Sequence, residues 1–153
     1  MTGKLAGIAR HARPKAPMEL LDHARISLDG GIEGDFRGAV KPGGRGKRQV
    51  TLMERRDWDA AMAELQRDIP WQERRINLLV EALDLPQQPG AELRIGADVV
   101  VRVTGECDPC SRMETIAPGL KAALTPDWRG GVTAKVINGG EIAVGDEIRI
   151  EQP

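Results

Sequence analysis

The chain has 153 residues, a net charge of −1 at pH 7, and 41% hydrophobic and 29% charged residues, as expected for one globular domain with a buried core. Its near-zero charge and its four aromatic side chains (three Trp, one Phe) give no basis for a nucleic-acid or anionic-membrane partner. No apolar run reaches the roughly 20 residues of a membrane span, and the N-terminus lacks a secretion signal. We therefore expect a cytoplasmic protein with neither nucleic-acid nor membrane partners.

The first third of the chain predicts short strands separated by glycine-rich turns. Strands are expected at residues 5–8, 26–28 and 49–53, where apolar side chains recur. Residues 30–35 are too rich in glycine for a helix, and residues 37–48 form a glycine-rich basic loop.

One longer helix is predicted after the strand at 49–53. Thr51 and Glu54 have the spacing of a capping box, and the helix is expected to run to about Arg67. Pro70 is expected to end it, because proline cannot continue the hydrogen-bond ladder. Apolar residues recur at i, i+4 and i+7 on one helix face, formed by Trp58, Met62 and Leu65.

The rest of the chain predicts more strands than helices. A strand is expected at 76–80, and a second helix of two turns at 118–124, with Pro118 at its first position. Further strands are expected at 93–95, 99–103, 132–137 and 141–150, interrupted by glycine-containing turns. This order predicts a mostly-β barrel or sandwich with a few short helices, as one domain over residues 1–153 with a core at about 5–150.

The only two cysteines lie in Cys107-Asp108-Pro109-Cys110, directly after a predicted strand. In a chain without a secretion signal, this spacing favours a catalytic, redox or metal-binding role in a reducing compartment. Four interpretations stay open: a thioredoxin-like dithiol, zinc ligation, two buried hydrophobes, and one reactive thiolate with an accessory cysteine. Because Asp and Pro favour a turn, at least one thiol is expected near the surface.

Two of these interpretations have specific weaknesses. A thioredoxin-like dithiol should open a helix, and residues 111–117 show no helical pattern. A zinc site needs four ligands, and only His11 and His23 remain as nitrogen ligands, far from the cysteines in sequence. Neither histidine belongs to a motif, so both are expected to be solvated.

Basic residues cluster in two places. The segment from Lys41 to Arg48 has four cations and three glycines, so its backbone N–H groups and side chains can hold an anion; a solvated loop is the equal alternative. The pair Arg74-Arg75 precedes Ile76-Asn77, and strand alternation would put Arg75 on the face of Asn77.

Two aspartates each follow a glycine. Asp35 and Asp146 are candidate acids or metal ligands, although Asp in a Gly-Asp turn usually bonds its own backbone. We favour that turn role for Asp146.

Seven segments, taken in order, are similar to those of the MOSC domain, the module named after the C-terminal part of molybdenum cofactor sulfurase. Each segment alone is weak, but the order extends from about residue 5 to residue 150. The segments are Gly31-Ile32-Glu33-Gly34-Asp35, Arg48-Gln49-Val50-Thr51-Leu52, Arg75-Ile76-Asn77-Leu78-Leu79, Gly90-Ala91-Glu92-Leu93-Arg94-Ile95-Gly96, Pro109-Cys110, Arg129-Gly130-Gly131-Val132 and Gly139-Gly140-Glu141-Ile142-Ala143-Val144-Gly145-Asp146.

The resemblance implies a β-barrel with one functional cysteine after a strand, the place that Cys110 holds here; Cys107 is an addition. In the family this cysteine either carries sulfur or ligates the molybdenum of a pterin-type cofactor, and a thiolate suits both tasks. The implied residues for binding the phosphate-bearing cofactor are Lys47, Arg48, Arg75, Asn77, Asp35 and Arg129.

Two functions of different classes follow as expectations. As an enzyme, the protein would use Cys110 as the ligand of a molybdenum cofactor and reduce N-hydroxylated small molecules with electrons from a separate redox protein. As a carrier, it would hold a persulfide on Cys110. The matching segments include no pyridoxal-phosphate desulfurase, so a separate sulfur-donor protein is then expected. A redox dithiol of Cys107 and Cys110 is a third possibility.

Overall fold

The computed structural model describes residues 2–151, and these form eleven strands and three short α-helices. The strands are β1 (Thr2–Arg10), β2 (Glu19–Leu21), β3 (His23–Ser27), β4 (Gly31–Ile32), β5 (Val50–Glu54), β6 (Leu78–Glu81), β7 (Glu92–Ile95), β8 (Val99–Glu106), β9 (Val132–Asn138), β10 (Gly140–Ala143) and β11 (Glu147–Glu151). The helices are α1 (Arg55–Leu65), α2 (Arg112–Ile116) and α3 (Leu120–Leu124). No helix within residues 2–151 is long and apolar enough to span a bilayer.

Seven strands form a closed barrel. They pair in the order β11-β7-β8-β9-β5-β6-β1, and β1 pairs back to β11 through Thr2 with Arg149, and Lys4 with Glu147. All neighbours are antiparallel except β5 and β6, which are parallel and joined through α1. Strand β2 adds to β1 outside the ring, and β10-β3-β4 form a second small sheet. The expected barrel is confirmed.

Two apolar cores stabilise this arrangement. The larger one fills the barrel with side chains such as Leu52, Leu78 and Val101. The smaller one lies between the barrel wall and the three helices, and Cys107 packs into it. The turn that carries the two cysteines is therefore positioned by the helix-side core.

The first helix differs from its prediction at both ends. Its N-cap is Glu54, and Thr51 lies inside β5, so the capping box does not form. The helix ends at Leu65, because Gln66 adopts a left-handed conformation with φ of 54°; Pro70 lies beyond the end and does not cause it.

The predicted strand at 76–80 starts later, at Leu78. A 3₁₀ turn, Trp71–Arg74, precedes it, and Arg75 has a left-handed backbone with φ of 69°. Arg75 is therefore outside the strand, and the alternation argument for its side chain was wrong.

The helical segment after the cysteines also differs. Residues 112–116, which show no helical pattern, form α2, whereas α3 begins at Leu120 with Gly119 as its N-cap. Pro118 is thus outside α3 and not at its first position. Both helices have five residues, a length at which apolar periodicity carries little information.

Candidate functional site

A cavity of about 320 Å³ lies beside the cysteine turn. Five arginines line it, from the loop after β4, the 3₁₀ turn and α2: Arg37, Arg48, Arg74, Arg75 and Arg112. The other lining residues are His11, Asp35, Thr51, Asn77, Cys110 and Met113. Asp35 is the only carboxylate among them, so the cavity is strongly cationic.

The two cysteines have different environments, and both are free thiols. Cys110 is exposed and lines the cavity, as the turn predicted for one thiol. Cys107 is fully buried, with its Sγ 3.6 Å from an Arg74 nitrogen. Within residues 2–151, no cluster of three His, Cys, Asp or Glu side chains could hold a metal, so the structure offers no closed zinc site there.

Arg74 lines the cavity, although the sequence marks it only as part of the basic pair with Arg75 and not as a site residue. Its side chain is buried, and its Nη2 donates to the carbonyl oxygens of Cys107 (2.9 Å) and Gly130 (3.0 Å). Its Nε has no hydrogen-bond partner. Arg74 thus connects the 3₁₀ turn to the cysteine turn and keeps one donor unused beside the cavity.

Arg75 also lines the cavity, so the neighbouring arginines share it with Asn77. The Nη2 of Arg75 donates to the Ala16 carbonyl at 2.8 Å, which anchors the guanidinium. Burial lowers the pKa of Arg75, and the charges of Arg112 and Arg37 lower it further. Cations that destabilise one another at close range favour an anion between them.

Asn77 has a connecting role in the cavity wall. Its Oδ1 accepts from the Thr51 backbone N–H and hydroxyl, each at 3.1 Å, and its Nδ2 donates to the Ala9 carbonyl at 3.1 Å. The Thr51 hydroxyl also accepts from the Asn77 backbone at 3.0 Å. Asn77 therefore joins β5 to β1, and its bonds to Thr51 help to hold that residue in the strand.

His11 and Asp35 form a buried pair in the same cavity, which corrects the expectation that His11 is solvated. The His11 backbone N–H donates to Asp35 Oδ1 at 3.1 Å, and His11 Nδ1 lies 3.4 Å from that oxygen. Burial is the largest effect on the His11 pKa and lowers it; Asp35 opposes this, while Arg75, Arg37 and Arg112 lower it further. The imidazole is thus neutral near pH 7 and has one donor and one acceptor nitrogen.

Three buried polar side-chain atoms lack partners within residues 2–151, and all three belong to residues of this cavity: His11 Nδ1, Asp35 Oδ2 and Arg74 Nε. Buried polar groups are normally satisfied, and exceptions often mark places where a ligand completes the network. The cavity can therefore bind a polar, anionic molecule and present it to the Cys110 thiol.

Of the residues predicted to bind a cofactor, Arg48, Arg75, Asn77 and Asp35 lie together with Cys110 in the cavity, but the other two do not. Lys47 lines an adjoining cavity of about 540 Å³. Arg129 donates to Glu64 at 2.5 Å and to the Ala123 carbonyl at 3.0 Å, on the helix side.

A comparison of sequences identifies the family of this barrel. Residues 33–149 match the family model described as the MOSC domain, and the chain belongs to this family. No protein of curated function matches the sequence.

Solved structures share the fold at low sequence identity. The YuaD protein from Bacillus subtilis is similar with a TM-score of 0.79 at 20% identity, covering 97% of this chain and 94% of that one. YiiM from Geobacillus stearothermophilus (TM-score 0.73, 14% identity, 98% of this chain and 75% of that one) and YiiM from Escherichia coli (0.71, 13%, 100% and 71%) are also similar.

Proposed function

We propose that the protein binds a molybdenum–pterin cofactor in the arginine-lined cavity, with the Cys110 thiolate as metal ligand, and reduces N-hydroxylated compounds. The observation that carries this proposal is the grouping of five arginines and one carboxylate around the exposed thiol. The electrons would come from a separate redox protein.

The residues present fit such a group. Arginine side chains are suited to a phosphate, because the planar guanidinium offers paired donors to its oxygens. The unpaired atoms of His11, Asp35 and Arg74 are two nitrogens and an oxygen, which match the donor and acceptor edges of a pterin.

The bound cofactor would supply a redox-active metal that a soft thiolate can ligate. Within the chain, Cys110 is the accessible sulfur, and Arg74 keeps the neighbouring Cys107 buried and out of reach. The neutral imidazole of His11 is available as a hydrogen-bond partner for a polar ligand or as a proton acceptor.

Sulfur carriage is the second candidate, favoured by the single accessible thiol. The Cys110 thiolate would attack the outer sulfur of a donor persulfide; the donor S–S bond breaks, a new S–S bond forms on Cys110, and the donor leaves as a thiolate. No net oxidation occurs, so the step needs only the donor protein. The surrounding arginines would stabilise the persulfide anion.

The deciding experiment measures molybdenum content and intact mass of the full chain from a host that makes the cofactor and from one that cannot. We expect about one molybdenum per chain from the first host, as for a single thiolate ligand site. Metal should be lost in Cys110→Ser and retained in Cys107→Ala, the matched control with the buried thiol replaced.

The other outcomes separate the alternatives. Protein free of metal from both hosts, with a reducible mass increase of one sulfur on Cys110, would replace the reductase by the carrier. If Cys107→Ala and Cys110→Ser lost reductase or sulfur-transfer activity to the same extent, a redox dithiol of the two cysteines would be indicated instead.

A further inference from the structure

A second cavity of about 540 Å³ adjoins the first, and Arg37 and Arg48 line both. The loop between β4 and β5 forms its wall. The cationic side chains of this loop cavity are Arg37, Lys41, Lys47 and Arg48, and the apolar ones are Phe36, Ala39 and Val40. No Asp or Glu is among its lining residues.

The loop is held in place although it has no regular secondary structure. The Phe36 and Val40 backbone N–H groups donate to the carbonyl oxygens of His11 (2.7 Å) and Asp29 (2.9 Å). The Thr104 hydroxyl donates to the Lys47 carbonyl. These three hydrogen bonds attach the loop, which forms the cavity wall, to the rest of the protein.

Gln49 fixes the base of the loop cavity. Its buried side chain donates to the Leu28 carbonyl at 2.7 Å and accepts from the Val136 backbone at 2.9 Å. Gly46 has φ of 64° in this wall, and an added Cβ would lie 3.1 Å from both Gln49 Oε1 and Val40 Cγ2. Glycine is thus required here for the close approach of the loop to Gln49.

The cations of the loop cavity have no carboxylate partners: the ion pairs found within residues 2–151 include none of Arg37, Lys41, Lys47 and Arg48. Beside them, Phe36 is 47% exposed, the only phenylalanine of the chain. Uncompensated cations next to an exposed aromatic ring create a site with both charge and apolar surface.

We propose that the loop cavity binds the body of the substrate, and that the substrates are organic anions: molecules with an apolar body and a carboxylate or phosphate group. The lysines Lys41 and Lys47 take the acidic group, and Phe36 packs against the apolar body. The shared wall of Arg37 and Arg48 connects this subsite to the cavity of Cys110. The inference rests on the proposed function only for the reaction that follows; binding itself needs no metal.

The test uses matched probes on full-length protein from the host that cannot make the cofactor. Calorimetry measures the affinity for naphthalene-2-carboxylate, for the neutral naphthalene-2-carboxamide and for inorganic phosphate. We expect the carboxylate to bind at least about fivefold more tightly than the carboxamide, because the two lysines form partly exposed ion pairs with it. It should also bind more tightly than inorganic phosphate, because phosphate has no apolar body to pack against Phe36. Higher salt should reduce this preference.

Variants locate the site. Lys41→Gln and Lys47→Gln should each weaken the carboxylate by about fivefold without changing the carboxamide. Phe36→Ala should weaken both organic probes. Lys121→Gln, an exposed lysine on α3, serves as the matched control and should change neither.

Three results would overturn the inference. The first is equal binding of the carboxylate and the carboxamide, and the second is binding of phosphate as tight as that of the carboxylate. The third is a preference for the carboxylate over the carboxamide that disappears in Arg75→Gln but persists in the lysine variants. Because the protein contains no metal in these measurements, none of these results depends on whether molybdenum binds. Equally, a failure to find molybdenum would leave the organic-anion site standing.

Discussion

Arg74 lines the cavity, but the burial of its charge contributes little to the stability of the fold. Its guanidinium is buried without a carboxylate, and two main-chain carbonyls are its oxygen partners. Burying a charge costs free energy that such dipoles offset only in part. Within residues 2–151 the Nε of Arg74 has no hydrogen-bond partner, and under the proposed function a bound anion would supply one.

His11 gives the protein a pH-dependent stability. Its pKa is lowered in the folded state, mainly by burial, so between that pKa and the usual value near 6.5 the unfolded chain binds more protons. Stability from this group is therefore complete above about pH 6.5 and decreases as the pH falls below it. The metal-free wild type should lose more unfolding free energy between about pH 7.5 and 5.5 than His11→Gln does, measured by urea titration.

The comparison between variants is needed because other groups titrate in the opposite sense. Burial raises the pKa of Glu54 and of Asp57, and this favours the folded state as the pH falls. Both carboxyls remain in His11→Gln, so the difference isolates the imidazole. An identical slope in His11→Gln and in the wild type would contradict the role of burial.

Part of the site could be predicted from the sequence, because short motifs can be recognised without knowledge of the fold. Asp35, Arg48, Asn77 and Cys110 belong to such motifs, and the barrel brings their side chains to one cavity. His11 belongs to no motif, and the only local signal at Arg74 is its basic pair with Arg75. Their roles arise from contacts over 24 and 33 residues, with Asp35 and Cys107 respectively.

Helix α1 is followed by Gln66, whose left-handed backbone conformation is unfavourable for a residue with a Cβ. Gln66 is left-handed with φ of 54°, and its backbone N–H donates to the Ala63 carbonyl at 3.3 Å. Gln66→Gly should stabilise the protein by about 0.5–1 kcal/mol, because glycine adopts this conformation without the steric cost of a Cβ. Urea unfolding of both proteins measures the difference.

The control for this prediction lies three residues earlier. Ala63 is exposed inside the same helix, and Ala63→Gly should destabilise the protein by about 1 kcal/mol. A loss of stability in both glycine variants would show that the left-handed end of α1 is not the conformation in solution.

Errors in the predicted elements have a common physical cause. The strands were located well, as in β7 and β8, because alternating or continuous apolar residues specify them over several positions. The boundaries of α1, α2 and α3 depend on caps and on contacts with the barrel wall. Thr51 lies inside β5 and its hydroxyl bonds to Asn77, so the helix begins three residues later, after Glu54; the sequence does not show this pairing.

For the whole molecule, the wall of the closed barrel is tightly packed at Gly3, where β1 pairs with β11 and lies against the end of β6. Gly3 pairs with Ile148, and an added Cβ would lie 2.5 Å from the Glu81 carbonyl oxygen and 2.6 Å from Leu83 Cβ. Neither atom can move away easily, because the Glu81 oxygen belongs to the backbone and the Leu83 Cβ is bonded directly to the backbone. Gly3→Ala should therefore cost about 2 kcal/mol or more, as for an overpacked core position.

Gly105→Ala is the matched control for Gly3→Ala, because Gly105 is also a strand glycine and an added Cβ there would meet nothing within 4 Å. Gly105→Ala should leave the urea midpoint unchanged or slightly higher, since alanine restricts the unfolded chain. In Gly3→Ala, amide hydrogen exchange should accelerate in β1 and β6, the strand that ends at Glu81, while β8 stays protected. Equal midpoints for the two variants would mean that Gly3 is not packed against residues 81–83, and that the barrel wall is looser at this point.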